Sequence, residues 1–375
     1  MEKIWLHDNQ TIKWEHEGER YCLHIRQDTH PENPREWDPD NSLTTMACWH
    51  PQHPLGDTNV TKGLSMEEFW QRLVRDNVGE DEVLAAAETG KLTGIRLQKN
   101  QENPELTDIY ETVQWRTAIG ISDPYESLEY KGVARAGVAQ TLLDVMTVGH
   151  CMTLMEPHAE WIPLWLYDHS GITMSCGART GQYADRWDSS QVGWIIMLKE
   201  KTMSELVAYV LDENGQRIKV EYPHEGGAST WSYKTCPLTD DTWRTRAAEV
   251  MADEVQLYDQ YLTDNVYWYE LFKDLSTDGK TPDWAEEESC GGFYGDELST
   301  CGILDNLGYG LQEAIEAGSY EIGEAERRVR ILRGKAAYER LSDRDFRVVA
   351  QRLHRPEPVF PLDCLPLGKS HQRDT

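Results

Sequence analysis

Residues Leu164–Met197 read "LWLYDHSGITMSCGARTGQYADRWDSSQVGWIIM". The apolar run "WIPLWLYD" (161–168) predicts a strand, His169-Ser170-Gly171 a turn, and "ITMSC" (172–176) a returning strand. A Gly-rich polar loop then leads to "VGWIIMLKE" (192–200), which is apolar enough to be a buried central strand. Helical patterns elsewhere do not alternate with strands in a βαβ rhythm. The expected class is α+β: a mixed or antiparallel sheet with helices packed on one face.

Further from this stretch the punctuation stays legible. "TIKWEHE" and "RYCLHIRQ" flank Glu17-Gly18 and predict a hairpin. Pro31, Pro34 and Pro39 exclude helix from "DTHPENPREWDPDN" (28–41). Ser65 and Glu68 form a capping-box signature for "MEEFWQRLV", with Phe69, Trp70 and Leu73 as its apolar face. Residues 77–160 predict a looser inserted region, with helices near Asp81–Ala87 and Ala134–Val148. Asn214-Gly215 is a type I′ hairpin signal. Asp240 or Asp241 is the expected cap of a helix to Leu262, whose stripe is Ala247, Val250, Met251, Val255, Tyr258 and Leu262. "NVYWYELF" returns as a strand, and 324–353 predicts a basic helix. The organisation expected is 1–76 as the N-terminal part of the core, 77–160 inserted, 161–323 as the main core, and 324–375 as a basic helix and tail.

The charge is lopsided: 65 acids stand against 37 Lys and Arg, a formal net charge of −28. Residues 327–375 hold twelve bases and six acids, a balance of +6, which leaves −34 for the other 326 residues. Such a body repels nucleic acid phosphates, so direct duplex binding by it is not expected. It should attract basic protein surfaces, although acidity of this kind also serves solubility. Met1–Gln10 is mixed and polar, unlike a secretory leader, and no apolar run is long enough to span a bilayer, so the expectation is a cytoplasmic protein with no membrane partner. The eight cysteines then read as reduced thiols.

Three blocks carry a resemblance: "QDTHPENPREWDPDNSLTTMACWH…LGD" (27–57), "LWLYDHSGITMS…RWDSSQVGWIIM" (164–197) and "EVQLYDQYLTDNVYWYEL…CGGFYGDE" (254–297). They resemble a family of uncharacterised bacteriophage and mobile-element proteins patterned N-P-R-E-W-D, D-H-S-G, W-D-S-G-Q-V-G, Y-D-Q-Y-L and C-W-G-F-Y-G. Ser190 stands where that pattern has glycine, and Gly291 where it has tryptophan. The resemblance implies a setting, an accessory protein in bacterial cytoplasm, and no reaction.

Two readings of the polar clusters stay open. Asp168, His169 and Ser170 are adjacent, so they cannot form a triad among themselves. Either they make a turn, with Asp168 capping amides, or Asp168 and His169 join Asp188 and Gln191 across paired strands as a general-base site. His50 and Asp57, with His53 and Cys48 nearby, are the candidate metal ligands, against a rigid Pro-flanked loop. Arg35, Trp37, Asp38 and Trp187 are the candidate binding residues, with Arg35 expected to pair with Glu36 and Asp38. Trp49, Trp194 and Trp268 read as core. No phosphate-binding, dinucleotide or zinc signature occurs, so no cofactor is expected. The basic segment "ERRVRILRGKAAYER" (326–340) is a candidate interaction helix, docking on the acidic body or on a second copy. The leading expectation is an acidic protein that binds a basic site on a host protein; the alternative is a hydrolase or transferase, metal-assisted if His50 and Asp57 meet.

Overall fold

The computed structural model describes residues 3–325, apart from 39–41, 114–115, 118–119, 122–123, 170, 185–186, 224–228 and 277–280. The basic helix expected at 324–353 thus lies almost wholly outside the described residues. In chain order the principal elements are β1 (Gln10–His16), β2 (Glu19–Gln27), β3 (Thr45–Cys48), α1 (Met66–Asn77), α2 (Glu80–Glu88), β4 (Ile95–Lys99), β5 (Leu106–Val113) and β6 (Tyr125–Ala134). There follow α3 (Arg135–Val145), α4 (Val148–Met155), β7 (Ala159–Asp168), β8 (Ile172–Cys176), β9 (Ser189–Leu198), α5 (Trp243–Leu262), β10 (Val266–Asp274), β11 (Trp284–Tyr294), α6 (Leu311–Ala317) and β12 (Tyr320–Glu324). The class is α+β.

The chain divides into two compact units. The smaller draws on Met1–Arg26, Trp268–Gly291 and the described residues from Ile303. Its sheet has the order β11-β10-β2-β1-β12. Glu17 and Gly18 both take positive φ (52° and 81°), the type I′ geometry that the right-handed twist of a two-residue hairpin favours, and β1 pairs antiparallel with β2 from His16↔Glu19. Ile12, Trp14, Tyr21, Leu23 and Ile25 are buried, and Trp14 stacks on Tyr21 at 5.5 Å. One polar pair is sealed into this unit: His24 Nδ1 lies 3.4 Å from Glu270 Oε2.

The larger unit, Gln27–Tyr267 with Gly292–Gly302, is organised by the sheet β8-β7-β9-β3, antiparallel throughout. The stretch 161–198 forms the expected strands. Helices cover both faces of this sheet rather than one, and β9 shows why: Val192, Ile195 and Met197 enter a core with α5, while Trp194, Ile196 and Leu198 enter a second core with α1 to α4. A strand apolar on both sides must be covered on both. On the first side, α5 buries Trp243, Ala247, Met251, Val255 and Tyr258, close to the expected stripe. Its N-cap is Thr242, not Asp240 or Asp241. On the second side, Trp70 is fully buried with its ring edge-on to Trp161 (5.5 Å) and Trp194 (5.7 Å). The Ser65–Glu68 capping box starts α1 as expected.

Residues 77–160 are not a separate insertion. Val83, Ala86, Ile95, Ile109, Leu142 and Met155 from that range share one core with Phe69, Trp70 and Ile196. The antiparallel sheet β4-β5-β6 borders the same core. At Asn214-Gly215 only Gly215 has positive φ (76°), so the turn is not type I′. The Asp212 carboxylate accepts from the amides of Asn214 and Gln216 (both 2.8 Å), and the chain still folds back as expected, with Leu211 bridged antiparallel to Arg217 and the Ile218 amide donating to Val210 O (2.9 Å); the strand 207–209 pairs with 235–237. Among the described residues no helix is long and apolar enough to cross a membrane.

At Gly193, beside the bulge of β9 against β7, a Cβ would sit 1.9 Å from the Ala47 carbonyl oxygen of β3. Gly193→Ala is expected to lower unfolding free energy by about 1–3 kcal/mol, read as a lower urea midpoint with an unchanged slope.

Candidate functional site

The polar residues of the larger unit form two constellations. The first is buried. Asn33 accepts from the Arg35 amide at 3.0 Å and starts a single 3₁₀ turn, Pro34–Glu36, with Pro34 at a position that needs no N–H. That turn sends Arg35 inward. Its guanidinium is bidentate on Asp57 (Nε–Oδ1 2.8 Å, Nη2–Oδ2 2.9 Å) and also donates to Glu254 of α5 and to the Thr44 carbonyl (3.1 Å). Thr44 donates its hydroxyl to Glu254, and the Met46 amide donates to Asp57 Oδ2 at 2.8 Å. Burial opposes the Arg35 charge, but Asp57 and Glu254 outweigh it and hold the guanidinium pKa above its ordinary value. Arg35 therefore anchors its loop through Asp57 and Glu254, not through Glu36 and Asp38.

The same joint extends along α5. Tyr258 Oη accepts from the Gly56 amide at 3.0 Å. Asp259 Oδ1 accepts from Thr173 Oγ1 and from the Met174 amide, both at 2.7 Å, and so ties α5 to β8. Nearby, Tyr294 donates to the Glu32 carbonyl, and Trp37, 51% exposed, stacks edge-on against Tyr294 at 5.3 Å. Asp38 is exposed. The Pro-rich loop, the L-G-D segment, the Y-D-Q-Y-L helix and the strand after D-H-S-G are thus members of one hydrogen-bonded joint. Glu254 and Asp259 were not singled out in the sequence; the available signal was a carboxylate at each margin of an apolar helical stripe.

The second constellation is solvent-facing. β7 ends at Asp168, the turn closes by a bond from His169 N to Gly171 O (3.1 Å), and Asp168 N donates to Asp188 O (2.8 Å) at the start of β9. This register brings His169 Nδ1 to 3.2 Å from Asp188 Oδ2. The loop after β3 adds His53, whose Nε2 lies 3.2 Å from Asp168 Oδ2, so the Asp168 carboxylate faces His53 rather than capping its own turn. His50 stacks on His53 (5.0 Å), and its Nδ1 accepts from the His53 amide at 3.1 Å. Burial, then His53, lowers the His50 pKa, keeping that ring neutral near pH 7. Two Asp–His pairs therefore stand side by side on one rim. Trp187 beside them is 93% exposed. Such a pair orients an imidazole for proton transfer, but the two best-formed depressions among the described residues lie elsewhere.

Of the expected quartet, Asp168, His169 and Asp188 converge with His53. Gln191 does not join them; its amide donates to Gly193 O at 3.4 Å within the bulge. His50 and Asp57 do not form a metal pair, because both Asp57 oxygens are held by Arg35 and Met46. Cys48 beside them is buried, and burial, with Asp57 adding, pushes its thiol pKa up to about 12. Among the described residues no group of three or more His, Cys, Asp or Glu is arranged to hold a metal ion. Comparisons with family models, with curated proteins and with solved structures found no match to the chain.

Removing one partner of a buried ion cluster leaves charge uncompensated. Arg35→Leu is expected to cost about 3–5 kcal/mol in chemical denaturation. Asp259 gives a different pattern. Burial raises its pKa above the ordinary 3.8, against the opposing bonds from Met174 and Thr173. A folded-state pKa above the unfolded one means that wild-type stability falls as pH rises through this range. Asp259→Asn keeps the Oδ1 acceptor and sheds the charge, so at pH 7 it should be at least as stable as wild type, with a flatter pH profile. Asp259→Ala should lose about 1–3 kcal/mol.

Proposed function

We propose that the protein is a non-enzymatic binding protein whose acidic surface engages a basic site on a host protein in the bacterial cytoplasm. The target class is a nuclease or another nucleic-acid-binding defence factor, engaged by mimicry of DNA charge. The observation that carries this reading is the balance of −34 over the 326 residues before Arg327. The setting implied by the phage-like blocks supports it. So does the commitment of Arg35, Asp57, Glu254 and Asp259 to internal bonds, which removes these polar residues from any catalytic inventory. Residues 327–375, outside the described residues, belong to the same reading as a basic interaction segment that docks on the acidic body or on a second copy.

A second reading, a hydrolase or transferase, is favoured by one observation: His53–Asp168 and His169–Asp188 at 3.2 Å each.

The first reading expects pull-down from bacterial lysate at low salt to recover a partner that is released at high salt, because screening weakens exposed charge pairs. No partner, or partners indifferent to salt, overturns it. Truncation before Arg327 should leave a folded protein by circular dichroism with altered mass in light scattering or altered partner binding. The second reading expects turnover of ester or phosphodiester substrates that falls about 10²–10⁴-fold in His169→Ala; no turnover by wild type removes it.

A further inference from the structure

Within a strongly acidic chain, one described depression reverses the local sign. It has a volume of about 760 Å³ and is lined by Asp212, Gln216, Arg217, Ile218, Lys219 and Tyr233. Its wall is an alternating series of cations and rings. The Arg217 guanidinium lies 4.1 Å from the Tyr209 ring, and Arg246 lies 4.8 Å from it. Tyr209 is thereby closely covered. Tyr233 is less so: Tyr209 meets it edge-on at 5.7 Å, Arg217 and Lys219 stand 5.9 and 5.8 Å from its centroid, at the outer limit of cation–π contact, and the residue is 38% exposed.

The two cations at Tyr233 are also unspent. Among the described residues neither the Arg217 guanidinium nor the Lys219 ammonium makes a hydrogen bond. Arg217 has only an ion pair with Glu249 at 3.6 Å, and Glu249 is engaged more closely by Arg246 at 2.8 Å. The one acid lining the depression, Asp212, uses Oδ1 on the amides of Asn214 and Gln216. Two donors with open valences beside a partly exposed aromatic ring match a ligand that carries an anionic group and a planar ring.

We propose that this depression binds a mononucleotide, with the phosphate on Arg217 and Lys219 and the base stacked on Tyr233. Charge range sets the ligand's size. At physiological ionic strength exposed charges are screened beyond roughly 8 Å. A mononucleotide in the depression therefore meets the three cations Arg217, Lys219 and Arg246 against the two carboxylates Asp212 and Glu249, a local excess of positive charge. A long strand would run out across the acidic surface and meet repulsion along its length. The site is independent of the host-protein reading and stands or falls separately.

Isothermal titration at low ionic strength tests it on the full chain with AMP, adenosine, inorganic phosphate and a single strand of about ten nucleotides. AMP should bind, with adenosine and phosphate each weaker by roughly tenfold or more, and the strand no tighter than AMP. Lys219→Ala and Tyr233→Ala should each weaken AMP by a similar factor while circular dichroism stays unchanged. Lys219 is chosen because it is exposed and makes no hydrogen bond, so its loss should not disturb the fold. The proposal is overturned if AMP does not bind or if both variants bind it as wild type does. It is equally overturned if phosphate or adenosine alone matches AMP, or if the strand binds more tightly than AMP.

Discussion

The larger unit depends on a single buried guanidinium. Arg35 holds Asp57, 22 residues on, and Glu254, 219 residues on, and through them fixes the Pro-rich loop, the segment after β3 and the helix α5. Two carboxylates share one cation there, so the cluster would be unfavourable without neutral donors. Thr44 Oγ1 and the Met46 amide provide them. Pairing and hydrogen bonding make such a cluster tolerable in a dry environment, while the loss of any one member leaves charge stranded. What the joint confers is register: α5 can sit on the sheet only where Glu254 meets Arg35, Tyr258 meets Gly56 and Asp259 meets β8.

This joint also explains why the sequence blocks look like a functional signature. N-P-R-E-W-D, L-G-D and Y-D-Q-Y-L each contribute a polar residue to one internal network, and D-H-S-G leads into the strand that Asp259 caps. Polar residues at defined positions can mark an active site, but here most of them satisfy each other. The exception is the rim where Asp168 and Asp188 meet His53 and His169. There the side chains face solvent, and the arrangement follows from β7–β9 register together with the loop after β3.

The parts legible in the sequence are those whose causes are local. The Ser65 capping box, the Glu17-Gly18 turn, the strands of 161–198 and the stripe on α5 all follow from residues within a few positions of one another. The parts that were not legible depend on distant partners. Nothing near Arg35 indicates that it will leave Glu36 and Asp38 for Asp57 and Glu254. The sheet of the smaller unit places β10 beside β2 although most of the larger unit's sequence lies between them, a pairing that no local pattern encodes. At Asn214-Gly215 a local rule failed for a local reason, because Asp212 two residues earlier captured the amides first. Residues 77–160 read as loose because their helices and strands are short, and a core shared with α1 and β9 makes them coherent.

Charge in this protein acts on two length scales. Over the whole chain the excess of acids sets a negative field at long range. Some of those acids also serve the fold: Glu286 and Glu287 are exposed on the edge strand β11, and Glu321 and Glu324 on the opposite edge β12, where charge discourages strand addition by another chain. Within a few ångströms the balance is set by immediate neighbours instead. Around Arg35 a local excess of carboxylate is satisfied by donors from two segments, the turn at Arg35 and the start of β3. Around Tyr233 the cations Arg217, Lys219 and Arg246 outnumber the carboxylates Asp212 and Glu249 and lie against the rings of Tyr209 and Tyr233. A net charge of −28 therefore describes what approaches from afar, and it leaves the chemistry of each surface depression to the few side chains within a screening length of it.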